Sequence, residues 1–254
     1  MAPGRSHIKT IVARAFLGLS VLLPVTAQAR AEAVKHLDVL ELFTSQGCSS
    51  CPPADALLGK LSKTKGVLAL TLPVNYWDHL GWRDTLAKEA FTKRQYAYAQ
   101  MRGDRQIYTP QLVVNGVVHV IGSQEDEVEA ARKSTAKSLA SFAVPIEIAT
   151  RDGKLHIETG AAPADSKLRL GKIWVVYYAS SVTVEIGRGE NTGRNVTYTN
   201  VVRTISAAGP WSGETARLAI EIPRESNFDS VAVLLQADES SAILGAATTS
   251  LASQ

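Results

Sequence analysis

The chain has 254 residues and two thiols, Cys48 and Cys51, in the run Cys48-Ser49-Ser50-Cys51. A disulfide across two intervening residues closes a very small loop, so it removes little chain entropy and is a weak staple. A pair this close is better suited to reversible thiol–disulfide exchange. A purely structural disulfide stays open as the alternative. The chain has no second C-x-x-C, which argues against a four-thiolate zinc site. A two-thiol metal site would need further ligands such as His79 or His119, so neither a metal nor a cofactor is expected.

Exchange chemistry needs elements that hold the pair. Val39-Leu40-Glu41-Leu42-Phe43 reads as a strand, followed by a loop over Thr44–Gly47. Beyond the cysteines, Ala54, Leu57, Leu58 and Leu61 recur at i, i+3, i+4 and i+7, one face of a helix. Pro52 and Pro53 suit its first turn, where a missing N–H costs little. The pair therefore opens a helix, whose positive end favours a thiolate. Cys48, further from the helix and expected to be the more exposed, would attack. Cys51 would resolve the mixed disulfide, and Ser49 and Ser50 offer hydroxyls to a thiolate.

The order continues with a strand over Val67–Val74 and an aromatic, polar loop, Asn75–Trp82. In that loop Trp77, Asp78, His79 and Trp82 read equally well as a wall beside Cys48 or as a local aromatic cluster. A helix over about 85–102 ends at Gly103. After Thr109-Pro110, the strands 112–114 and 117–121 flank Asn115-Gly116, a strong hairpin signal. Ser123 is then expected to cap a helix running to about Leu139.

Past residue 142 seven strand-like runs follow: 144–148, 155–158, 172–179, 182–186, 196–206, 215–222 and 230–235. With no helix among them they point to an antiparallel sandwich. Between them lies a Gly-rich turn, Gly187–Gly193, whose Glu190 and Asn191, with the adjacent Arg194, would either bind a ligand or pin the β region to the first half.

Charge locates the protein. Of 27 Lys+Arg and 24 Asp+Glu, Arg5, Lys9 and Arg14 fall in residues 1–29, which hold no acid, so the remainder is formally neutral. No basic footprint for nucleic acid is left. The three bases precede a run of mostly apolar residues, Ala15–Thr26, too short to span a bilayer, and Ala27-Gln28-Ala29 fits a cleavage site. Residues 1–29 are read as a signal peptide, with the mature protein periplasmic or secreted and without a stable membrane span. In that setting disulfides persist.

The strand before Cys48-Ser49-Ser50-Cys51 at a helix start, then Thr109-Pro110 before an Asn-Gly hairpin and a last helix, resembles the thioredoxin superfamily over residues 36–140. The resemblance implies a cis Pro110 facing the disulfide, with Pro110 and the Thr109 backbone binding extended substrate. It also departs from that family. Leu42 stands where a buried acid often sits, and Glu41 points to the opposite face, where it is expected to be solvated or capped. Gly47 replaces the usual tryptophan, and the Ser-Ser between the cysteines leaves the redox direction open. The stretches Leu42–Asp55 and Gly187–Val196 further resemble the two signatures of a bacterial family of exported, thioredoxin-like proteins of unknown function.

The expected architecture is an α/β thioredoxin-like domain over 30–141, followed by an all-β, sandwich-like region over 142–254. The expected function is an exported thiol–disulfide oxidoreductase acting on envelope or secreted protein thiols and disulfides. The alternative is a non-catalytic binding or assembly module with a structural disulfide.

Overall fold

The computed structural model describes residues 1–2, 37–224 and 227–251, so the proposed signal segment lies outside the described residues. Among them no helix is long and apolar enough to cross a membrane.

The strand β1 (Asp38–Thr44) is buried from Val39 onward. Its odd positions, Val39 and Phe43, enter one apolar layer and its even positions, Leu40 and Leu42, another, as the two-residue period of a strand dictates. It pairs in parallel with β2 (Val67–Pro73) and antiparallel with β3 (Gln111–Val114). Parallel pairing requires a crossover, supplied by α1 (Pro52–Leu61), which buries Ala54, Leu57, Leu58 and Leu61. The helix α2 (Glu89–Arg102) ends at Gly103 with φ +78°, and α3 (Glu125–Leu139) follows the edge strand β4 (Val118–Ile121). The N-cap of α3 is Gln124 rather than Ser123, and no side chain caps it.

The hairpin between β3 and β4 turns on Asn115 (φ +49°) and Gly116 (φ +76°). Asn115 does more than turn. Its Oδ1 accepts from the Val39 N–H at 2.7 Å and its Nδ2 donates to Thr135 at 2.8 Å, tying β1 to α3.

The second half forms β5 (Ile146–Arg151), β6 (Lys154–Thr159), β7 (Gly171–Glu185), β8 (Asn195–Trp211), β9 (Ala216–Glu221), β10 (Ser230–Ala237) and β11 (Ile243–Ser250). Four of these strands extend the first half's sheet instead of building a separate sandwich. The eight-stranded order is β11-β10-β7-β8-β2-β1-β3-β4, while β5-β6-β9 make a second, three-stranded sheet. The sandwich expected for 142–254 therefore exists only in part: β5 and β6 pack Ile146, Ile148, Leu155 and Ile157 against Val175, Tyr177, Val231 and Val233 of the large sheet. On the large sheet's other face, Phe91 and Tyr98 of α2 share one core with residues of both halves, among them Phe43, Leu70, Val176 and Leu234.

The strand pairing that joins the halves is narrow. One parallel bridge joins Thr71 of β2 to Val201 of β8. The Thr71 hydroxyl donates to the Thr199 carbonyl at 2.6 Å, and Asn200 Nδ2 donates to the Ala69 carbonyl at 2.9 Å.

The runs 172–179 and 182–186 are one continuous strand. Among the described residues, β8 is its only strand partner beyond Ala179, so 180–185 and 195–199 leave the sheet as a two-stranded arm. Val182, Val184 and Val196 of the arm pack with Tyr198, Val201 and Leu86. The arm returns the chain's second half to the first half's cysteines.

Candidate functional site

Pairing register brings the candidate residues to one end of the sheet. Phe43 of β1 sits opposite Gln111 of β3, and Thr44 opposite Pro73 of β2. The cysteine loop after Thr44, the Thr109–Pro110 turn before Gln111 and the aromatic loop after Pro73 therefore leave the sheet together.

Cys48 and Cys51 form a disulfide with Cα atoms 5.4 Å apart. Cys51 is the N-cap of α1, and its carbonyl accepts from the Ala54 and Asp55 N–H groups at 2.9 and 3.1 Å. Cys48 Sγ lies 3.4 Å from the Ser50 hydroxyl. The Thr109–Pro110 peptide bond is cis. The Pro110 carbonyl accepts from the Gly122 N–H at 2.9 Å. A Cβ on Gly122 would lie 2.7 Å from Leu42 and 3.2 Å from Ala54, so this turn packs beside the start of α1. Gln95, fully buried on α2, holds the turn from the other side by donating to the Tyr108 carbonyl at 2.9 Å and to Gln111 Oε1 at 2.8 Å.

The exposure of Cys48 is corrected by the structure: both cysteines are 0 % exposed, while Ser49 and Ser50 remain on the surface. The tip of the arm, residues 187–194, is tied onto the loop that carries them. Asn191, 1 % exposed, donates through Nδ2 to the Gln46 and Cys48 carbonyls, both at 2.9 Å. Glu190 Oε2 accepts from the Ser49 N–H at 3.2 Å. Trp82 adds to this contact. Its indole donates to Gln46 Oε1 at 2.8 Å, and Cβ atoms built on Gly187 and Gly189 would lie 3.2 Å from its side chain. The aromatic loop thus supports the tip, and Trp77 lies so close to Gly47 that a Cβ there would stand 3.3 Å from its own. That approach accounts for glycine where the resemblance expects tryptophan.

Behind the cysteines lie two buried acids, Asp84 and Asp55. Asp84 is anchored: it accepts from the N–H groups of Gln46 at 2.8 Å, Leu86 at 2.8 Å and Ala87 at 3.1 Å. Burial nevertheless raises its pKa, with those backbone donors acting in the opposite sense. Asp55 has no such anchor. It is 4 % exposed, and neither carboxylate oxygen has a hydrogen-bond partner. Burial pushes its pKa up to about 7, opposed by the nearby Thr44 hydroxyl, which closes no hydrogen bond to it, and reinforced by the Asp84 charge. Four residues beyond Cys51 on a helix, Asp55 lies on the same side of α1. The only sequence signal was an acid in the first turn of a helix, which ordinarily reads as a solvated dipole partner.

Glu41 lies on the sheet's opposite face and is capped rather than solvated. It is fully buried, and Arg94 of α2 clamps it through Nε at 2.6 Å and Nη2 at 3.1 Å, with the Tyr98 hydroxyl also donating to it. This is an ion pair on the α2 side of the sheet, away from α1, and it gives Glu41 no part in the cysteine chemistry. The two histidines considered as metal ligands are engaged elsewhere. His79 Nδ1 lies 2.9 Å from the Tyr76 carbonyl, and His119 bridges the Tyr108 hydroxyl at 2.8 Å and Asp104 at 3.1 Å. Among the described residues no three His, Cys, Asp or Glu side chains gather as a metal site.

Comparison with known proteins gives three likenesses. A crystal structure of a protein from Agrobacterium tumefaciens superposes with a TM-score of 0.73 at 31% identity, covering 88% of this chain and all of that one. HBP35 of Porphyromonas gingivalis superposes at 0.55 and 15% identity, covering 85% of this chain and 76% of that one, a likeness of fold alone. A probable thioredoxin of Archaeoglobus fulgidus is 49% identical over 37 residues, which are 15% of this chain and 41% of that protein. Residues 39–236, from β1 to the end of β10, match the family described as protein of unknown function DUF1223, and the chain belongs to that family.

Proposed function

We propose that this protein is an exported thiol–disulfide oxidoreductase whose exchanging pair is Cys48–Cys51. The observation that carries the reading is the disulfide at the first turn of α1, with the unpaired, buried carboxyl of Asp55 one turn behind it. The 37-residue likeness to a probable thioredoxin supports it, as does the cis Thr109–Pro110 turn at the same end of the sheet. The export assignment rests on residues 1–29.

The chemistry follows from the arrangement. A thiolate of a partner dithiol attacks Cys48 Sγ and forms a mixed disulfide. The Cys48–Cys51 bond breaks, and Cys51 leaves with the electron pair. Asp55, protonated below about pH 7, gives that thiolate its proton and becomes a carboxylate. The partner's second thiolate then attacks its own mixed-disulfide sulfur and releases Cys48 as a thiolate. The partner leaves as a disulfide, and the protein has gained two electrons. In reverse, the Asp55 carboxylate takes the Cys51 proton so that Cys51 attacks the mixed disulfide. Thr109 and Pro110 would line the partner's path, with envelope or secreted protein thiols and disulfides as substrates.

The full burial of both cysteines favours a second reading, a binding or assembly module stapled by an inert disulfide. Trapping separates the two. In cells, Cys51→Ala leaves a mixed disulfide unresolved and is expected to accumulate covalent adducts through Cys48, and the Cys48→Ala/Cys51→Ala double variant none. No adducts, together with a reduction potential below about −300 mV, typical of structural disulfides, would establish the inert staple.

A further inference from the structure

The arm does more than bury a disulfide. The tip 187–194 reaches the cysteine loop from the second half of the chain, and few hydrogen bonds fasten it there. Asn191 Nδ2 holds the Gln46 and Cys48 carbonyls, and Glu190 holds the Ser49 N–H from an exposed position. The tip closes on itself independently of the cysteines. Gly193 N–H donates to the Ile186 carbonyl at 2.7 Å, Ile186 N–H to the Arg194 carbonyl at 2.9 Å, and Thr192 N–H to the Gly189 carbonyl at 3.2 Å. Lifting it would leave its own turn intact.

The closed position also carries a defect. Asn191 Oδ1 is buried and has no hydrogen-bond partner, and a buried acceptor without a donor favours any state that returns it to water. The tip's joints are permissive: Gly189 and Gly193 adopt φ +82° and +77°. Gly187 and Gly189 lie against Trp82, where an added Cβ would stand 3.2 Å from its side chain.

We propose that the arm tip is an access gate over the Cys48–Cys51 disulfide, with Asn191 as its latch. The proposal rests on the oxidoreductase reading and deepens it, since the gate governs which thiols reach Cys48. With the gate closed the disulfide is sealed. With it open, the Gln46 and Cys48 carbonyls are freed together with the sulfur, so an incoming polypeptide with free main-chain N–H groups replaces the latch's two donors as it reaches Cys48. Small thiols bring no such donors and wait for spontaneous opening.

The test is the rate at which dithiothreitol reduces the full-length protein, read by thiol labelling and mass. A gate that opens before attack makes the wild-type rate level off as dithiothreitol rises, because opening becomes limiting. Asn191→Ala is expected to raise the low-concentration rate at least tenfold and to lift the plateau. Asn115→Ala removes a buried amide from the far end of β1, so any acceleration by general loosening would appear there too; none is expected. In guanidinium all three proteins should reduce at one rate. A wild-type rate that stays linear in dithiothreitol and is unchanged by Asn191→Ala overturns the gate. So does equal acceleration by Asn115→Ala. Failure of the oxidoreductase reading shows separately, as absence of Cys48 adducts in the trapping experiment even with the latch removed.

Discussion

Asp55 is the residue whose environment departs furthest from what its sequence position suggests. Its carboxyl titrates near 7 in the folded protein against 3.8 when free. Between those values the native state holds a proton that the unfolded state has released. Stability is then fully present below about pH 4 and falls as pH rises through 7. The window is worth on the order of 4 kcal/mol at most, at 1.36 kcal/mol per pH unit. Asp84 is shifted in the same direction and adds to the slope, and Tyr198, which faces both acids, is itself raised by burial and by their charges. Asp55→Asn, neutral at every pH, is expected to flatten this fall, measured as urea midpoints from pH 4 to 8. An unchanged profile would mean that Asp55 is ionised and paired. The cysteines and Thr109-Pro110 were legible because their types and spacing are rare. Asp55 and Asn191 were not, since Asp in a first helical turn and Asn in a Gly-rich turn are ordinary placements. Only burial distinguishes them.

Elements were read well wherever one segment carries its own signal. The helices α1 and α2 appear within a few residues of their expected spans, and the Asn115-Gly116 hairpin is where the dipeptide puts it. No local signal marks β11, in which Ala, Gly and Thr dominate. The reason is tertiary: a Cβ on Gly245 would sit 2.3 Å from the Val144 carbonyl, so a small residue is required there. Ser180-Ser181 interrupts the apolar run of β7, so the pattern predicts two strands, and β8 pairs straight across that interruption. The hairpin also has a role beyond turning. Gly116 lies against the β10–β11 connection, where an added Cβ would stand 2.0 Å from the Ser241 carbonyl at φ +76°. Gly116→Ala therefore meets both a backbone clash and a left-handed conformation, with an expected loss of about 2–3 kcal/mol. The denaturant midpoint should drop with the slope unchanged. A loss below about 0.5 kcal/mol would show that the two turns part freely.

For the whole molecule, the local pattern of residues 142–254 correctly announced strands but could not announce their partners, because pairing across 130 residues leaves no trace in a short window. The outcome is one sheet crossing the position where a boundary was expected. A chain ending at residue 141 would leave β2 as an open edge, and would strip from α2 the apolar contacts with Val176, Tyr178 and Leu234. Residues 37–141 alone are expected to aggregate or to melt without a cooperative transition. A monomeric fragment with a sharp thermal transition would establish a first half that folds alone. The arm has a further consequence, in the order of assembly. Its latch joins residues 143 and 145 positions apart, and contacts that close so long a loop come late in folding. A folding chain in which α1 has formed and the arm has not yet closed holds the cysteines uncovered. First oxidation of the pair can therefore precede closure of the arm, whereas each later re-oxidation of the folded protein must wait for the tip to lift.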